Sequence, residues 1–411
     1  GISEGARASV VGKIRNDGQY IVHNGDEEIV NAKAKEVTEG FLYDRPYKAR
    51  KNNFIEPNLP EPTNYNQVLL DVLIHENMAS REPVFEQYDK QVQGRIHTET
   101  GLADSGVMAP FNSEKYPEEI RNVGIALSTD HNPRYGLIDP YWGGINAVVE
   151  SMQNVAAVGA TPHALSDCLC FGNPEKPHQM WEFVESVRGV ADACHAITLK
   201  DNPNHATPII AGNVSFYNES KSGAIPPSPI LSCLGRLKDV NKAVPAHFQK
   251  LDSVVLMIGE RKNELGGSVY YSLFDEVGAN VPKPNLEEVK NQIFALTGCI
   301  DDGLVLSCHD ISDGGVASAL SEMTFGNNVG CEIKIDSNLS KEQLLFSETG
   351  GFVVEVSTEN IEEIKSVFSN YSLNVFKIGS TGGKTIQMND VINISVNDIK
   401  EAWANGLREK L

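Results

Sequence analysis

Two short segments of the chain carry residues that could bind phosphate and a divalent cation. The first, Ser166 to Pro177, contains Asp167, and the second, Ala211 to Glu219, contains Gly212 and Asn213. Glycine lets the backbone approach a ligand closely, and carboxylate and amide oxygens are the hard ligands that Mg²⁺ prefers. Either segment alone is typical of an ordinary strand-to-loop turn. Together they indicate a phosphate and metal site.

The elements around these segments predict how they are positioned. A strand over 163–166 places Asp167 at its carboxyl end, where α/β sheets commonly present ligands. A helix over 180–196 leads away from it, and residues 200–207 form a polar surface loop. A second strand over 208–210 then ends in a turn at Gly212 and Asn213.

A long helix predicted over 143–157 carries a second pair of polar groups. Glu150 and Asn154 are four residues apart, so both project from one face of the helix. Such a pair is often simply solvated. Here its neighbours are glycine, alanine and valine, which indicates burial, and a buried carboxylate needs a cation.

Composition limits the class of protein and its partners. The 411 residues exceed what one hydrophobic core serves, so we expect at least two domains. A formal charge of −20 argues against a nucleic-acid partner. No apolar run reaches the length of a membrane span, and no signal peptide opens the chain. The seven cysteines show no zinc spacing, which predicts reduced thiols and a cytoplasmic location. We expect Cys168 and Cys170 to be buried and inert.

The two ends of the chain show a repeated order of elements. Strand, turn, strand and polar helix follow one another over 8–40, and again over 374–411. Two unrelated hairpins could look alike, but the shared order favours duplicated units. We therefore expect the chain to hold one whole unit preceded by the tail of another, as the C-terminal part of a larger protein. A proline-rich stretch over 43–62 is predicted to be a linker.

The C-terminal portion predicts alternating strands and helices. A buried strand is expected over 252–259, and the segment His309 to Gly315 opens a helix over 316–323. Within that segment Asp310, Ser312 and Asp313 are good N-terminal capping residues, so they are either caps or part of a ligand site.

These motifs, in this order and with Asp139 to Gly144 before them, resemble the second half of phosphoribosylformylglycinamidine synthase. The resemblance runs from about Ile2 to the C-terminus. It implies an α/β (α+β) fold, in which an A domain like that of aminoimidazole ribonucleotide synthetase, a mixed sheet with helices, precedes a B domain of α+β layers. It implies these divisions: 1–42, the tail of a preceding B domain; 43–83, a linker and helix; 84–236, the A domain; and 237–411, the B domain.

The resemblance also implies roles for individual residues. Asp167 and Gly212 would contact ATP, Asn213 would be a Mg²⁺ ligand and Ser215 would contact the substrate. An auxiliary Mg-nucleotide site would comprise Asp89, Glu150 and Asn154, and the loop with Asp310 and Asp313 is a marker of the fold. The family's glycine before Gly212 is Ala211 here, and Leu345 to Gly351 departs from the family's pattern for a substrate-binding segment. No catalytic residue is expected in this chain, because the family's catalytic histidine lies in the first module.

The activity that the resemblance implies is that of an ATP-dependent ligase of purine biosynthesis. Formylglycinamide ribonucleotide and glutamine-derived ammonia would give formylglycinamidine ribonucleotide, with ATP and Mg²⁺ as cofactors. The expected partners are the first synthetase module, a glutaminase subunit and a small bridging subunit, with no nucleic acid and no membrane. The alternatives are another enzyme of the superfamily, such as aminoimidazole ribonucleotide synthetase or thiamine phosphate kinase, or a nucleotide-binding subunit without chemistry of its own.

Overall fold

The computed structural model describes residues 7–40 and 43–411, which divide into two units between Pro46 and Tyr47. The first unit has an antiparallel hairpin of β1 (Gln19–Asn24) and β2 (Glu27–Lys33), followed by α1 (Ala34–Glu39). Gly25 adopts the left-handed φ of 62° that so tight a turn requires. The predicted hairpin and helix are confirmed, whereas the strand predicted over 8–14 is wrong: these residues are irregular.

The second unit alternates helices with strands. Its helices are α2 (Tyr65–Leu73), α3 (Glu82–Phe85), α4 (Pro133–Ile138), α5 (Pro140–Ala157), α6 (Pro177–Ala196), α7 (Val269–Ser272), α8 (Leu286–Asp301), α9 (Gly315–Phe325), α10 (Lys341–Phe346), α11 (Ile361–Asn370) and α12 (Val396–Asn405). Its strands are β3 (Ile96–Thr98), β4 (Gly106–Met108), β5 (Gly124–Asp130), β6 (Thr161–Cys170), β7 (Thr198–Leu199), β8 (Asn202–Ala206), β9 (Ile209–Ser215), β10 (Glu219–Ser220), β11 (Gly223–Ala224), β12 (Ser228–Leu237), β13 (Val254–Ile258), β14 (Val305–Asp310), β15 (Cys331–Ile333), β16 (Phe352–Val356), β17 (Val375–Thr381), β18 (Thr385–Met388) and β19 (Ile392–Ser395).

The first large sheet has the strand order β3-β4-β5-β12-β6-β9. Its neighbours are antiparallel except for β6 and β9, which run parallel, as a crossover through α6 allows. Helix α5 packs against β12 and β5 on one face of this sheet. Asp139 caps α5 by accepting the backbone N–H groups of Tyr141 and Trp142, so the helix starts three residues before the predicted Gly143.

The second large sheet has the order β14-β16-β13-β17-β15-β18-β19 and is antiparallel except for β15 and β18. Its central strands β13 and β16 are buried along their whole length, as the continuous apolar run of β13 predicts for that strand. Both sheets are mixed and carry helices, which confirms the predicted fold class. One core joins them, because Val148 of α5, Ile293 of α8 and Val354 of β16 belong to the same buried cluster.

The segment predicted as a polar surface loop, 200–207, forms much of the hairpin β7–β8. Lys200 leaves this hairpin to donate from Nζ to the Phe294 carbonyl and to Thr297 Oγ1, each at 2.8 Å, on helix α8. The side chain thus fastens the hairpin to the second half of the unit. Among the described residues, no helix combines the length and the apolar character needed to cross a bilayer.

Candidate nucleotide and metal sites

Parallel pairing of β6 with β9 brings the two predicted motifs together. In this register Asp167 lies beside Gly212, Cys168 beside Asn213, and Cys170 beside Ser215. The prediction that Asp167, Gly212 and Asn213 lie in turns is wrong, since β6 extends to Cys170 and β9 extends to Ser215. The ladder of β6 continues to support β9 beyond Pro208–Ile210, where glycine and asparagine had suggested that the strand stops.

Glycine is required at position 212 because the Asp167 carboxylate lies against it. A Cβ atom at this position would stand 2.5 Å from Asp167 Oδ1, so any other residue would displace the carboxylate. Asp167 pairs across the sheet with the fully buried Leu231 of β12. Burial raises the pKa of Asp167, and a hydrogen bond from the Asn213 backbone N–H partly offsets the rise.

The loops after the two strands are fastened to each other by Asn218. Its Nδ2 donates to the carbonyls of Phe171 at 3.0 Å and Ser215 at 2.9 Å, and it lies 3.1 Å from Ser215 Oγ. The backbone N–H of Tyr217 donates to the Gly172 carbonyl at 2.9 Å, with Tyr217 itself at a left-handed φ of 62°. The side chain predicted to contact the substrate, Ser215, is therefore held in a defined place next to the first motif.

The prediction that Cys168 and Cys170 are buried is wrong. Both are half-buried, whereas the other five cysteines are buried. Cys168 pairs with half-buried Ile230, on the face of β6 opposite to that of Asp167. The Asp167 side chain lies on the face of the sheet that the helices cover, and the two thiols lie on the opposite face.

A second group of polar side chains lies where β14 meets the loop before β4. Nδ1 of His309 lies 2.8 Å from Asp104 Oδ1 and 3.4 Å from Asp310 Oδ1, and Nε2 lies 3.2 Å from Glu322 Oε2. Burial lowers the pKa of His309, but the attraction of Asp104 and the other carboxylates outweighs it and raises the pKa well above its usual range. Asp104, His309 and Asp310 offer ligand atoms within 4.8 Å of one another, a spacing that could hold a metal ion.

Glu150 and Asn154 lie beside this group. Asn154 Nδ2 donates to Asp130 Oδ2 at 2.9 Å. Burial raises the pKa of Asp130 to about 7 and that of Glu150 well above its usual range; repulsion from Asp130 adds to the rise at Glu150, and repulsion from Asp310 adds to the rise at Asp130. Asp310 Oδ2 is buried and has no hydrogen-bond partner among the described residues. Buried oxygens that lack donors fit the first coordination shell of a hard cation.

Asp89, the third residue of the predicted auxiliary set, lies in a different environment. This residue is exposed, and its carboxylate accepts the backbone N–H of Gln91 at 2.8 Å. Asp104 is the acidic residue that joins the group, through Asp310, whose backbone N–H donates to Asp104 Oδ2 at 2.8 Å. Sequence reasoning missed Asp104. Its signal is an acidic residue in a Gly-Leu-Ala-Asp-Ser-Gly turn just before strand β4.

Asp310 and Asp313 do not cap α9, so the capping interpretation is wrong. The N-cap position is Gly314, at a left-handed φ of 72°, and no side chain caps the helix there. Instead Asp313 Oδ1 accepts from Asn132 Nδ2 at 3.2 Å. Burial raises the pKa of both carboxyls, which Asn132 and Arg134 oppose at Asp313 and His309 opposes at Asp310.

A cavity of about 580 Å³ opens beside the acidic group. Asp104, Asn154, His309 and Glu322 line its acidic end. Its remaining wall includes Lys90, Lys400, His247 and the aromatic side chains Phe85, Phe325 and Trp403. A cavity of this size, with a metal-binding end and cationic and aromatic walls, suits a nucleotide.

Glu348 joins the first large sheet's helices to the second half of the unit. Its Oε1 accepts the backbone N–H groups of Val269 and Gly314, each at 2.8 Å, and its Oε2 lies 2.6 Å from the Tyr135 hydroxyl of α4. The side chain is 3% exposed. Burial, with repulsion from Asp313, raises the pKa of Glu348 to about 8.

This shift predicts that the metal-free chain becomes less stable as pH rises from about 5 to about 8. A carboxyl whose pKa is higher in the folded state binds a proton that the unfolded chain has released, so its contribution is full below the unfolded pKa and disappears through the folded pKa. The loss should exceed about 1 kcal/mol, since one pKa unit is worth about 1.4 kcal/mol. Urea denaturation in EDTA at several pH values measures it.

Glu348→Gln is the matched control for this titration, because glutamine keeps the acceptor for Val269 and Gly314 and cannot ionise. The variant should show a flatter dependence of unfolding free energy on pH. Equal slopes in the variant and the parent chain would rule out Glu348 as the titrating group.

Comparison with known proteins identifies the family of the chain. Residues 104–237 match the family described as AIR synthase related protein, N-terminal domain, and residues 251–388 match AIR synthase related protein, C-terminal domain. The two matches together span more than half of the chain, in the same order as the two large sheets.

The curated relatives are similar along nearly the whole chain. Phosphoribosylformylglycinamidine synthase subunit PurL of Methanothrix thermoacetophila is 43% identical over 417 residues, covering 100% of this chain and 53% of the relative. The protein of the same name from Methanocaldococcus jannaschii is 34% identical over 414 residues, covering 96% of this chain and 54% of the relative. The chain thus spans about half the length of the curated relatives it matches.

Solved structures show the same fold. PurL of Thermotoga maritima complexed with FGAR has a TM-score of 0.64 at 18% identity, covering 83% of this chain and 54% of that one. PurLQS from the same organism has a TM-score of 0.61 at 17% identity, covering 84% and 52%. With the family matches and the curated relatives, this likeness shows that the chain belongs to the AIR synthase related family and is a PurL-type member of it.

Proposed function

We propose that this chain is the second half of a phosphoribosylformylglycinamidine synthetase. The whole enzyme is an ATP-dependent ligase that converts formylglycinamide ribonucleotide, abbreviated FGAR, and ammonia to formylglycinamidine ribonucleotide. One observation carries the proposal: pairing of β6 with β9 brings Asp167, Gly212, Asn213 and Ser215 together at one edge of the sheet, Asp167 and Gly212 on the helix-covered face and Asn213 and Ser215 on the other. The names of the curated relatives and the structures of PurL with FGAR and with ATP support it.

The residues at this edge of the sheet suit phosphoryl transfer to an amide oxygen. Such a reaction needs positioning and charge stabilisation more than a protein nucleophile. We assign the nucleotide to the sheet edge at Asp167 and Gly212, a Mg²⁺ ion to the Asn213 side-chain oxygen, and FGAR to Ser215. The ion would neutralise charge that develops on the phosphoryl oxygens. Asn218 would keep Ser215 in place through its contacts with that residue.

The surface has an open side in this chain. Strand β9 is the sheet edge, and Ile210 is 67% and Val214 49% exposed; on β5, Leu127 is 55% exposed. Exposed apolar groups next to an unpaired strand edge mark a surface that another chain or domain covers. We propose that the first synthetase module covers this side and supplies the catalytic histidine. A glutaminase subunit and a small bridging subunit complete the proposed assembly in the cytoplasm.

The test of this function is product formation by a reconstituted enzyme. This chain is mixed with a polypeptide that carries the first half of a PurL relative, then given FGAR, ATP, Mg²⁺ and an ammonium salt. Ammonium salt replaces the glutaminase, so the assay requires only the two halves. Formation of formylglycinamidine ribonucleotide supports the proposal, and failure of a folded, associated mixture to form it contradicts the proposal.

We assign a second, auxiliary Mg-nucleotide site to the cavity beside Asp104 and His309. The Asp310 Oδ2 without a partner among the described residues and the half-buried Glu150 carboxylate, whose pKa is raised, are the observations that favour it. We replace Asp89 of the predicted set by Asp104, and keep Glu150 and Asn154. This site would stabilise the fold, since it lies between α5, which packs on the first large sheet, and β14, a strand of the second.

Mg²⁺ should therefore raise the melting temperature of the EDTA-treated chain, with a larger rise when ADP is added. A ligand that binds only the folded state stabilises it, and each kcal/mol is worth about 2–4 °C for a chain of 150–250 residues, less for a longer one. Asp104→Asn and Glu150→Gln should lose most of the shift. Without Mg²⁺, Glu150→Gln should be at least as stable as the parent, because it removes a buried carboxylate.

Asp89→Asn is the matched control for this set, since Asp89 is exposed and makes only a local backbone hydrogen bond. It should keep the full shift. Scanning calorimetry measures all four proteins. A full Mg²⁺ shift in Asp104→Asn would place the ion elsewhere.

A further inference from the structure

Two thiols converge on the open face of strand β6. Sγ of Cys168 and Sγ of Cys170 lie 3.7 Å apart, and both side chains are half-buried. Residues two apart in a strand have Cα atoms separated by about 6.6 Å and project from the same face. The two side chains therefore lean towards each other to bring their sulfur atoms into contact.

The separation matches what a tetrahedral metal ion requires. With Zn–S bonds of about 2.3 Å and tetrahedral angles, two sulfur ligands stand about 3.8 Å apart. A disulfide would need an S–S distance of about 2.05 Å, much shorter than the one observed. The pair is thus arranged for chelation of an ion, and it would not have to move to bind one.

A third group contacts the pair from strand β9. The Asn213 side chain lies beside Cys168, with Nδ2 at 3.9 Å from Sγ. Rotation of the carboxamide by half a turn would present the side-chain oxygen to the same space. Asn213 is exposed, so water can reach the remaining coordination positions.

We propose that Cys168 and Cys170 form a binding site for a soft, thiophilic cation of the zinc group, with Asn213 as a third contact. Each thiol releases its proton to solvent as its sulfur donates an electron pair to the ion, and no oxidation state changes. Soft thiolate ligands select such ions over Mg²⁺. The cysteine pair is separate from Asp104, His309 and Asp310, which offer oxygen and imidazole nitrogen.

The site has a consequence for nucleotide binding that rests on the proposed function. Asn213 cannot serve a soft cation and the Mg²⁺ of a bound nucleotide at the same time. Occupation of the cysteine pair would therefore inhibit the synthetase, and removal of the ion by a chelator would restore it. Binding of the soft cation itself does not depend on any activity of the chain.

Cd²⁺ is the probe for this site, because thiolate–cadmium bonds give a charge-transfer absorption in the near ultraviolet that oxygen and nitrogen ligands do not. Titration of the full chain with cadmium chloride should produce this band with one equivalent bound. Cys168→Ser and Cys170→Ser should each lose the band and weaken Cd²⁺ binding at least about tenfold, as loss of one thiolate ligand implies. Circular dichroism confirms that the variants are folded.

Two controls separate this site from the rest of the chain. Ser166→Ala, two residues earlier on the same strand, should keep the band, and so should Asp104→Asn, which alters the acidic group. Absence of the band in the parent chain, or its persistence in Cys168→Ser, would overturn the proposal. So would equal alkylation of Cys168 and Cys170 by iodoacetamide with and without Cd²⁺, measured by peptide mass. The band can be present while the reconstituted mixture is inactive. Failure of the proposed function can therefore be distinguished from failure of the cation-site proposal.

Discussion

This chain alone should form no detectable formylglycinamidine ribonucleotide, and should become active when the first half of a relative is added. Strand β9, which carries part of the proposed site, is an unpaired edge in the part of the chain that the structure describes, and Val214 near its end is 49% exposed. The relatives that share its sequence are about twice its length. Electrostatic groups that stabilise a transition state contribute several orders of magnitude in rate, so half of a composite site should be inactive in the assay.

The measurement is steady-state product formation from FGAR, ATP, Mg²⁺ and ammonium salt, with the chain alone, the first half alone and the mixture. Leu127→Lys is the structural probe, since it places a charge on the exposed apolar face of β5 and should prevent association. Lys365→Ala, at an exposed helix position on α11, is the control and should associate normally. A rate for the chain alone equal to that of the mixture would show that the chain holds a complete site.

Periodicity predicted most of the elements because it depends on local burial. The apolar run that predicted a buried strand over 252–259 is an example, since every residue of β13 is buried. These patterns reflect which side chains face the core. They needed no knowledge of the neighbouring strand.

Prediction from the sequence was wrong where a residue distant in the chain determines the local conformation. Gly212 and Asn213 are typical turn residues, yet both lie in β9, because pairing with β6 and the space beside Asp167 outweigh their low strand propensity. The prediction that a local side chain caps α9 was wrong for the same reason. Glu348, 34 residues away, accepts the Gly314 N–H that a local side chain was expected to bind.

The members of the proposed auxiliary site differ in how far the sequence links them, for a related reason. Glu150 and Asn154 lie on one helix, so their spacing reveals that they act together. Asp104 lies in the loop before β4, 46 residues before Glu150, and no periodicity links the two. Only the packing of α5 against β14 brings Asp104, Asp310 and Glu150 into one region.

In the reconstituted enzyme, Asn213→Leu should lower turnover by about 10²-fold or more, the scale on which removal of one electrostatic contact acts. Leucine has the same heavy-atom branching at Cγ as asparagine and no oxygen ligand for Mg²⁺. Asn213 is exposed on β9, where leucine can be accommodated, so the chain should fold and associate as before. Turnover is measured at saturating ATP and over a range of Mg²⁺ concentrations.

Asn213→Asp is the matched variant, because it keeps one side-chain oxygen and adds a negative charge that attracts the cation. Its turnover should lie well above that of Asn213→Leu. It should also saturate at a lower Mg²⁺ concentration. Lys365→Ala, at an exposed position on α11, should change turnover little. If Asn213→Leu keeps full turnover at limiting Mg²⁺ while its association with the first half is normal, the ion is held elsewhere. The Gly212–Asn213 segment would then serve only as the sheet edge, because an oxygen that binds the ion during phosphoryl transfer cannot be removed without cost.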